Sequence, residues 1–312
     1  MPTIAVVGGT GKLGRAIVDA LAQDGNNEVL VVSRQKPSPE KADELGARVV
    51  SADYGNVDSL TSLFESNKVD TVISTVSGTA SIEPELNLIK AADKSVATKR
   101  YIPSIWGVNY TAEVVAYFPL AQTKRDILNA LESTTLEHTT VYNGYYLDYW
   151  VAPGAKSYFD PMALVIDVAN NTAAIPGSGN VPVVFTYSFD IARFVVSLVA
   201  LPKWAKESYI IGDKITWNEF LGFVEEAKGV KFKVVKDSID KLKAGQITEL
   251  PSHEYMYPFF PKPALQGLFA AFGRMFEEGV FDLKPANTLN DEFPGIKPRK
   301  VRELIFEALH KS

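Results

Sequence analysis

Residues 3–14 constrain this chain more than any other stretch. Thr3-Ile4-Ala5-Val6-Val7 is an apolar run of strand type that stops at Gly8-Gly9-Thr10-Gly11-Lys12-Leu13-Gly14. Beyond it, Leu13, Ile17, Ala20 and Leu21 fall on one stripe at helical spacing. A strand, a tight glycine turn and a helix in that order make a cradle for a dinucleotide pyrophosphate. Gly8 permits the turn, Gly11 lets backbone N–H groups approach phosphates, and Gly14 lets the helix pack closely on the sheet. The helix N-terminus adds unpaired donors and the positive end of its dipole. The spacing is Gly-x-x-Gly-x-x-Gly rather than the commoner Gly-x-Gly-x-x-Gly. Gly8, Thr10, Gly11, Lys12, Leu13 and Gly14 are the first candidate cofactor contacts.

The rest of the first half alternates strands and helices as a doubly wound parallel sheet does. Strands are expected at 3–7, 28–33, 47–51, 69–75, 100–103 and 136–142, and helices at 12–24, 38–45, 56–65, 83–97 and 119–133. From about 144 the pattern breaks, and Tyr145, Tyr146, Tyr149, Trp150, Pro153, Tyr158, Phe159 and Pro161 crowd together. A strand near 181–187 and a helix at 189–201 are expected to return to the sheet. A short strand at 208–211, a helix at 216–228 capped by Thr216 and a closing helix at 298–310 follow. The expectation is an α/β chain with an NAD(P)-binding Rossmann fold over 1–143 and a smaller, mainly substrate-binding lobe over 144–312. Ligands on such sheets bind beyond the carboxyl ends of the strands, so the residues just after each strand matter most.

Bulk properties remove several alternatives. A net charge of −5 over 312 residues, with no long basic block, offers nothing to nucleic acid. Cysteine is absent, which excludes disulfides, thiolate metal sites and a cysteine nucleophile. The three histidines, His138, His253 and His310, lie far apart, which argues against a histidine metal cluster or a Ser-His-Asp hydrolase. The longest apolar run, Phe194 to Leu201, is too short to span a bilayer, and the chain reads as strand almost from its start. A cytoplasmic chain with no membrane association, monomeric or homodimeric, is the default expectation.

Strand two ends in Val31-Val32-Ser33-Arg34, where an acid would accept the ribose 2′-OH of NAD and a basic residue favours the 2′-phosphate of NADP. Arg34 holds this place, Lys36 and Lys41 follow, and no acid comes before Glu40. The plain alternative is a solvated basic loop. Asp53, after strand three, suits the adenine amino group or a simple turn. Ser74, Thr75 and Val76, at the end of strand four, would flank a ribose.

Three further segments carry a resemblance. Arg100-Tyr101-Ile102-Pro103-Ser104-Ile105-Trp106-Gly107 resembles the Arg-Phe-x-Pro-Ser-Glu-Phe-Gly signature of isoflavone reductase-like and NmrA-like proteins. Thr123 to Leu131 resembles their lysine helix, and Tyr142-Asn143-Gly144-Tyr145-Tyr146 resembles their stretch after strand six. The resemblance implies an atypical short-chain dehydrogenase/reductase that binds NADP(H). It also implies that Lys124 is the catalytic residue assisting proton transfer, with Ser104 and Asn143 lining the cofactor. The Tyr-x-x-x-Lys pair of other short-chain dehydrogenases is absent, because position 120 is leucine, and Tyr117 is a poor substitute. Ile105 replaces the acid of the signature, which is expected to alter the floor near the nicotinamide.

Trp106, Tyr110, Tyr145, Tyr146 and Tyr149 form either an aromatic substrate pocket or core packing between lobes. Pro251 to Pro263 reads as an irregular aromatic segment and a candidate lid. Two functions follow from the resemblance. One is an NADPH-dependent reductase of a small aromatic or secondary-metabolite-like carbonyl, enone or benzylic ether. The other is a non-catalytic NADP(H) sensor acting through a regulatory protein partner. A nucleotide-sugar epimerase is weaker, since such enzymes use the missing tyrosine.

Overall fold

The computed structural model describes residues 1–35, 38–77 and 81–310, without the side chains of Pro39 and Lys41. A six-stranded parallel sheet forms its centre, in the order β3-β2-β1-β4-β5-β6. The strands are β1 (Thr3–Val7), β2 (Glu28–Ser33), β3 (Arg48–Ser51), β4 (Val69–Ser74), β5 (Arg100–Ile102) and β6 (Glu137–His138). The strand order reverses beside β1, which pairs in parallel with both β2 and β4. This is the doubly wound Rossmann arrangement, with its crevice at the β1/β4 switch point.

The sequence explains the layers. Every residue of β1 is buried, as a strand covered on both faces requires. Successive side chains alternate between faces. Ile4 and Val6 meet Leu13, Ile17 and Leu21 of helix α1 (Lys12–Asp24) on one face. Ala5 and Val7 meet the other core, with Leu60 and Phe64 of α3 (Val57–Ser66) and Leu88 and Ile89 of α4 (Glu83–Lys94). Helix α2 (Pro39–Glu44) links β2 to β3, and α5 (Ala112–Val115) and α6 (Leu120–Glu132) link β5 to β6.

The expected strand 136–142 is one extended run that uses a different partner on each edge. Residues Glu137 and His138 pair with β5, whereas β7 (Thr140–Tyr142) pairs in parallel with β12 (Glu207–Tyr209). The strand and the helix of this later segment lie in different places. Helix α7 (Ser188–Val199) joins α1 on the sheet, burying Ile191, Phe194, Val195 and Leu198 in the same core. Strand β11 (Pro182–Thr186) instead builds a small sheet with β8 (Tyr145–Tyr146) and β13 (Asp213–Thr216).

A third sheet, β9 (Ile166–Asp167), β10 (Thr172–Pro176) and β14 (Lys233–Asp237), was not readable from hydrophobic pattern. Its strand β14 exposes four of five residues and carries three charges, so it lacks the apolar run that marks a strand. Helix α8 (Trp217–Lys228) starts at a capping box between Thr216 and Glu219, as Thr216 predicts. Helices α9 (Ile239–Lys243), α10 (Lys262–Glu277), α11 (Leu289–Glu292) and α12 (Val301–His310) complete the described chain. No helix among the described residues is long and apolar enough to cross a membrane.

Candidate active site

Two cavities open at the carboxyl ends of the sheet strands. One, of about 500 Å³, lies beyond β2 and β3 and is lined by Arg34, Ser51, Asp53, Tyr54, Glu83 and Asn87. The other, of about 410 Å³, lies at the switch point, where Gly11, Lys12 and Leu13 of the glycine turn face Thr75, Val76 and Ser77 after β4. Ser104, Trp106, Lys124, Tyr146 and Phe159 complete its wall.

The glycine turn has the local structure its spacing predicts. Gly8 adopts a φ of 80°, a conformation that favours glycine, and its N–H donates to the Val32 carbonyl at 2.9 Å. A Cβ on Gly14 would stand 2.5 Å from both the Gly8 carbonyl oxygen and Thr75 Oγ1. A side chain there is sterically impossible without moving the turn. Gly11 differs, because its Cβ would meet nothing nearer than the Gly8 carbonyl at 3.7 Å. This glycine therefore leaves open space beside the cavity. The first turn of α1 has no capping side chain and no acid, so its N–H groups and positive dipole end remain available to an anion. Thr10 is exposed and does not line the cavity. The Lys12 ammonium pairs with Asp160 at 3.3 Å.

Arg34 lies exposed just beyond β2, within the larger cavity. Asp53 lines that cavity and also accepts the Gly55 N–H at 2.8 Å, so it forms the turn that its alternative reading describes. Lys36 lies outside the described residues, as does the side chain of Lys41.

At the switch point, Lys124 projects from α6 and its Nζ donates to the Ser104 carbonyl at 2.6 Å. Burial pushes the Lys124 pKa down, and the nearby Glu85 charge opposes this. Ser104 Oγ donates to the Val76 carbonyl at 2.8 Å, and Trp106 Nε1 donates to the Ser74 carbonyl at 3.0 Å. These two bonds tie the end of β5 to the end of β4. Phe159 packs on Tyr146 with ring centroids 4.8 Å apart. The segment carrying Phe159 is anchored by Ser157, whose hydroxyl donates to the buried Asp148 at 2.9 Å. Asp148 also accepts the Ser188 N–H that begins α7, at 2.8 Å.

The geometry sets several of the expected contacts away from the cavity lining. Ser74 is fully buried and its hydroxyl donates to Glu85 Oε2 at 2.5 Å, so only its carbonyl serves the cavity wall, through Trp106. Ile105 lies in the core and not in the cavity wall, beyond the tight turn in which its N–H donates to the Pro103 carbonyl at 2.7 Å. The floor is made by Ser104 and Trp106 on either side of it. Asn143 is fully buried, with its amide donating to the Gly144 carbonyl at 3.3 Å, and does not line the cavity.

Tyr145 is a core residue, enclosed by the rings of Tyr149, Trp150, Phe272, Phe276 and Phe281. Tyr110 packs on Phe118 and does not line the cavity. Tyr149 lines a separate cavity of about 550 Å³ and touches the site through Tyr146 and Phe159. Of the five expected pocket aromatics, the structure brings Trp106 and Tyr146 to Lys124. Tyr117 stacks under the Arg274 guanidinium, 3.6 Å from its ring centre, and is likewise absent from the cavity wall. Residues 251–256 form a 3-10 helix, and its Ser252, Tyr255 and Met256 line the separate cavity.

Glu85 is the residue that motif reading missed. It had a sequence signal: Glu85, Leu88, Ile89 and Ala92 share one buried stripe of α4, where a carboxylate is out of place. Phe159 was visible only as one of many aromatics. Among the described residues, no group of three or more His, Asp or Glu side chains is placed to hold a metal.

The sheet order and the glycine turn define a Rossmann-type α/β protein. The chain belongs to the NmrA-like family, which it matches over residues 1–292. It is 33% identical over 303 residues to Oxidoreductase BOA1 of Botryotinia fuckeliana, with 96% of each chain covered. Phenylcoumaran benzylic ether reductase IRL1 of Ginkgo biloba is 29% identical over 240 residues, covering 72% of this chain and 75% of that one. The fold resembles that of the leucoanthocyanidin reductase–NADPH complex from Vitis vinifera, with a TM-score of 0.76 and 21% identity. That likeness covers 99% of this chain and 100% of the other.

Proposed function

We propose that this chain is an NADPH-dependent reductase of a small phenolic or otherwise aromatic substrate, with Lys124 as the proton-transfer group. The observation that carries this reading is a desolvated lysine at the switch-point cavity, opposite a helix N-terminus and beside aromatic walls. The pyrophosphate would lie on the N–H groups of Lys12 and Leu13, in the space that Gly11 leaves. Arg34 would hold the 2′-phosphate, and the cavity around Asp53 and Asn87 would take the adenine. The relatives named as reductases, and the NADPH held by the leucoanthocyanidin reductase, support the choice of cofactor.

When bound, the reduced nicotinamide supplies a hydride. Trp106, Tyr146 and Phe159 would hold a planar ring and keep water out. Lys124 Nζ would give its proton to the substrate oxygen that gains negative charge. A lysine with a lowered pKa suits this task near neutral pH, since it loses and regains a proton readily.

Parallel calorimetric titrations with NADPH, NADP+, NADH and NAD+ test the cofactor, and NADPH oxidation with a panel of aromatic enones, aldehydes and benzylic ethers tests the chemistry. Preference for the phosphorylated cofactors together with turnover is the expected result. Binding without turnover, and with a wide gap between oxidised and reduced forms, would favour the redox-sensor reading and its protein partner. Failure to bind any of the four would overturn both.

A further inference from the structure

Glu85 is 2% exposed, on the inward face of α4, and three protein donors converge on its carboxylate. Ser74 Oγ donates to Oε2 at 2.5 Å, while the Ser104 N–H and the Tyr101 hydroxyl donate to Oε1 at 3.0 and 3.2 Å. An ionised carboxylate accepts hydrogen bonds and donates none, and a set of three donors suits that form. Ser104 is shared: its N–H reaches Glu85, and its carbonyl receives Lys124 Nζ at 2.6 Å. A buried charge without a partner is costly, and Lys124 is the cation that acts on this one.

We propose that Glu85 is a positioning residue for Lys124, fixing Ser104 as its hydrogen-bond acceptor and holding its ammonium charge at the cavity floor. The proposal rests on Lys124 as the proton-transfer group. The titratable groups that face Glu85 are Tyr101 from β5 and Lys124 from α6, and the charge that acts on Lys124 is Glu85. Tyr101 is fully buried and burial holds its hydroxyl far above its ordinary range, so it stays neutral through the working pH. The carboxylate and the ammonium therefore form the pair that titrates together.

The test is Glu85→Gln, which keeps the shape and an acceptor for the Ser104 N–H but removes the charge. The readout is the titration of Lys124, followed by NMR of its labelled Cε carbon and assigned by its loss in Lys124→Arg. Loss of the carboxylate should move the Lys124 midpoint to lower pH by about one pH unit, the low end of what removal of a nearby opposite charge produces. The limb of the pH–rate profile that belongs to Lys124 should move the same way. An unmoved midpoint overturns the proposal. If Glu85→Gln does not fold, Lys124→Met gives the reciprocal reading, in which the labelled Glu85 carboxyl should titrate at higher pH. No change there is equally fatal. Full turnover in Lys124→Ala would remove the catalytic reading of Lys124 and leave the midpoint shift intact. An unmoved midpoint beside Lys124-dependent turnover would remove the role of Glu85 alone.

Discussion

Glu85 and Lys124 grip opposite polar ends of one residue. The Ser104 N–H donates to Glu85 at 3.0 Å, and Lys124 donates to the Ser104 carbonyl at 2.6 Å. The two side chains come from α4 and α6, on either side of the segment that follows β5. Opposite charges are thus placed on the N–H and the C=O of a single residue. The arrangement keeps a long, flexible lysine in one place beside the glycine turn.

Removing Lys124 should separate chemistry from folding. Lys124→Ala is expected to lower kcat by about 10²- to 10⁴-fold, the usual range for a lost proton-transfer group. Cofactor affinity should change far less. Stopped-flow or steady-state NADPH oxidation, paired with a thermal melt, measures both. A variant with wild-type turnover would refute the assignment.

Arg34 should set cofactor choice. Loss of a charged hydrogen-bond donor to phosphate costs about 1.5–3 kcal/mol, or about ten- to a hundredfold in Kd. Arg34→Ala should weaken NADPH by that factor and leave NADH nearly unchanged in calorimetry. Equal weakening of both would return Arg34 to the role of a solvated loop residue.

Gly14 should tolerate no side chain. A Cβ would stand 2.5 Å from Gly8 O and from Thr75 Oγ1, so the turn and the end of β4 must separate. Gly14→Val is expected to lower stability by about 1–3 kcal/mol, typical of an overpacked site. It should also abolish nucleotide binding, because the same shift moves the cradle. Urea unfolding and calorimetry together check this, and normal binding in the variant would contradict it.

The pH dependence of stability carries the sign of a raised carboxyl pKa. Burial holds Glu85 above the ordinary carboxylate range, against the pull of Ser74, Ser104, Lys124 and Tyr101. The folded chain therefore binds this proton more tightly than the unfolded chain. The contribution favours folding at low pH and is lost as pH rises through the unfolded and then the folded pKa. Glu85→Gln carries no such proton. The melting temperature of Glu85→Gln relative to wild type should thus climb as pH is raised from 4, measured by calorimetric scans. A difference that is flat or falls with pH would contradict the raised pKa.

The glycine turn, the six parallel strands and the helix carrying Lys124 were all legible in the sequence. Each depends on nearby residues: a strand on its apolar run, a turn on a glycine that can reach positive φ, a helix on its stripe. Cavity membership was less legible. Trp106 and Tyr146 line the site, while Tyr145, equally aromatic and one residue from Tyr146, is sealed among five rings. Three of those rings, Phe272, Phe276 and Phe281, arrive from more than a hundred residues away. The strands β10 and β14 were hidden for a similar reason, since their pairing joins Thr172 to Lys233 without a strong pattern in either.

The local order strand, glycine turn, helix is a property of residues 3–24 alone, because backbone sterics and side-chain periodicity act over a few residues. Which way Ser74 and Ile105 face, and that a carboxylate from α4 lies beneath the lysine of α6, are different in kind. Those facts come from packing between segments distant in the chain. There the burial of one charge is offset only by donors that the other segments bring to it.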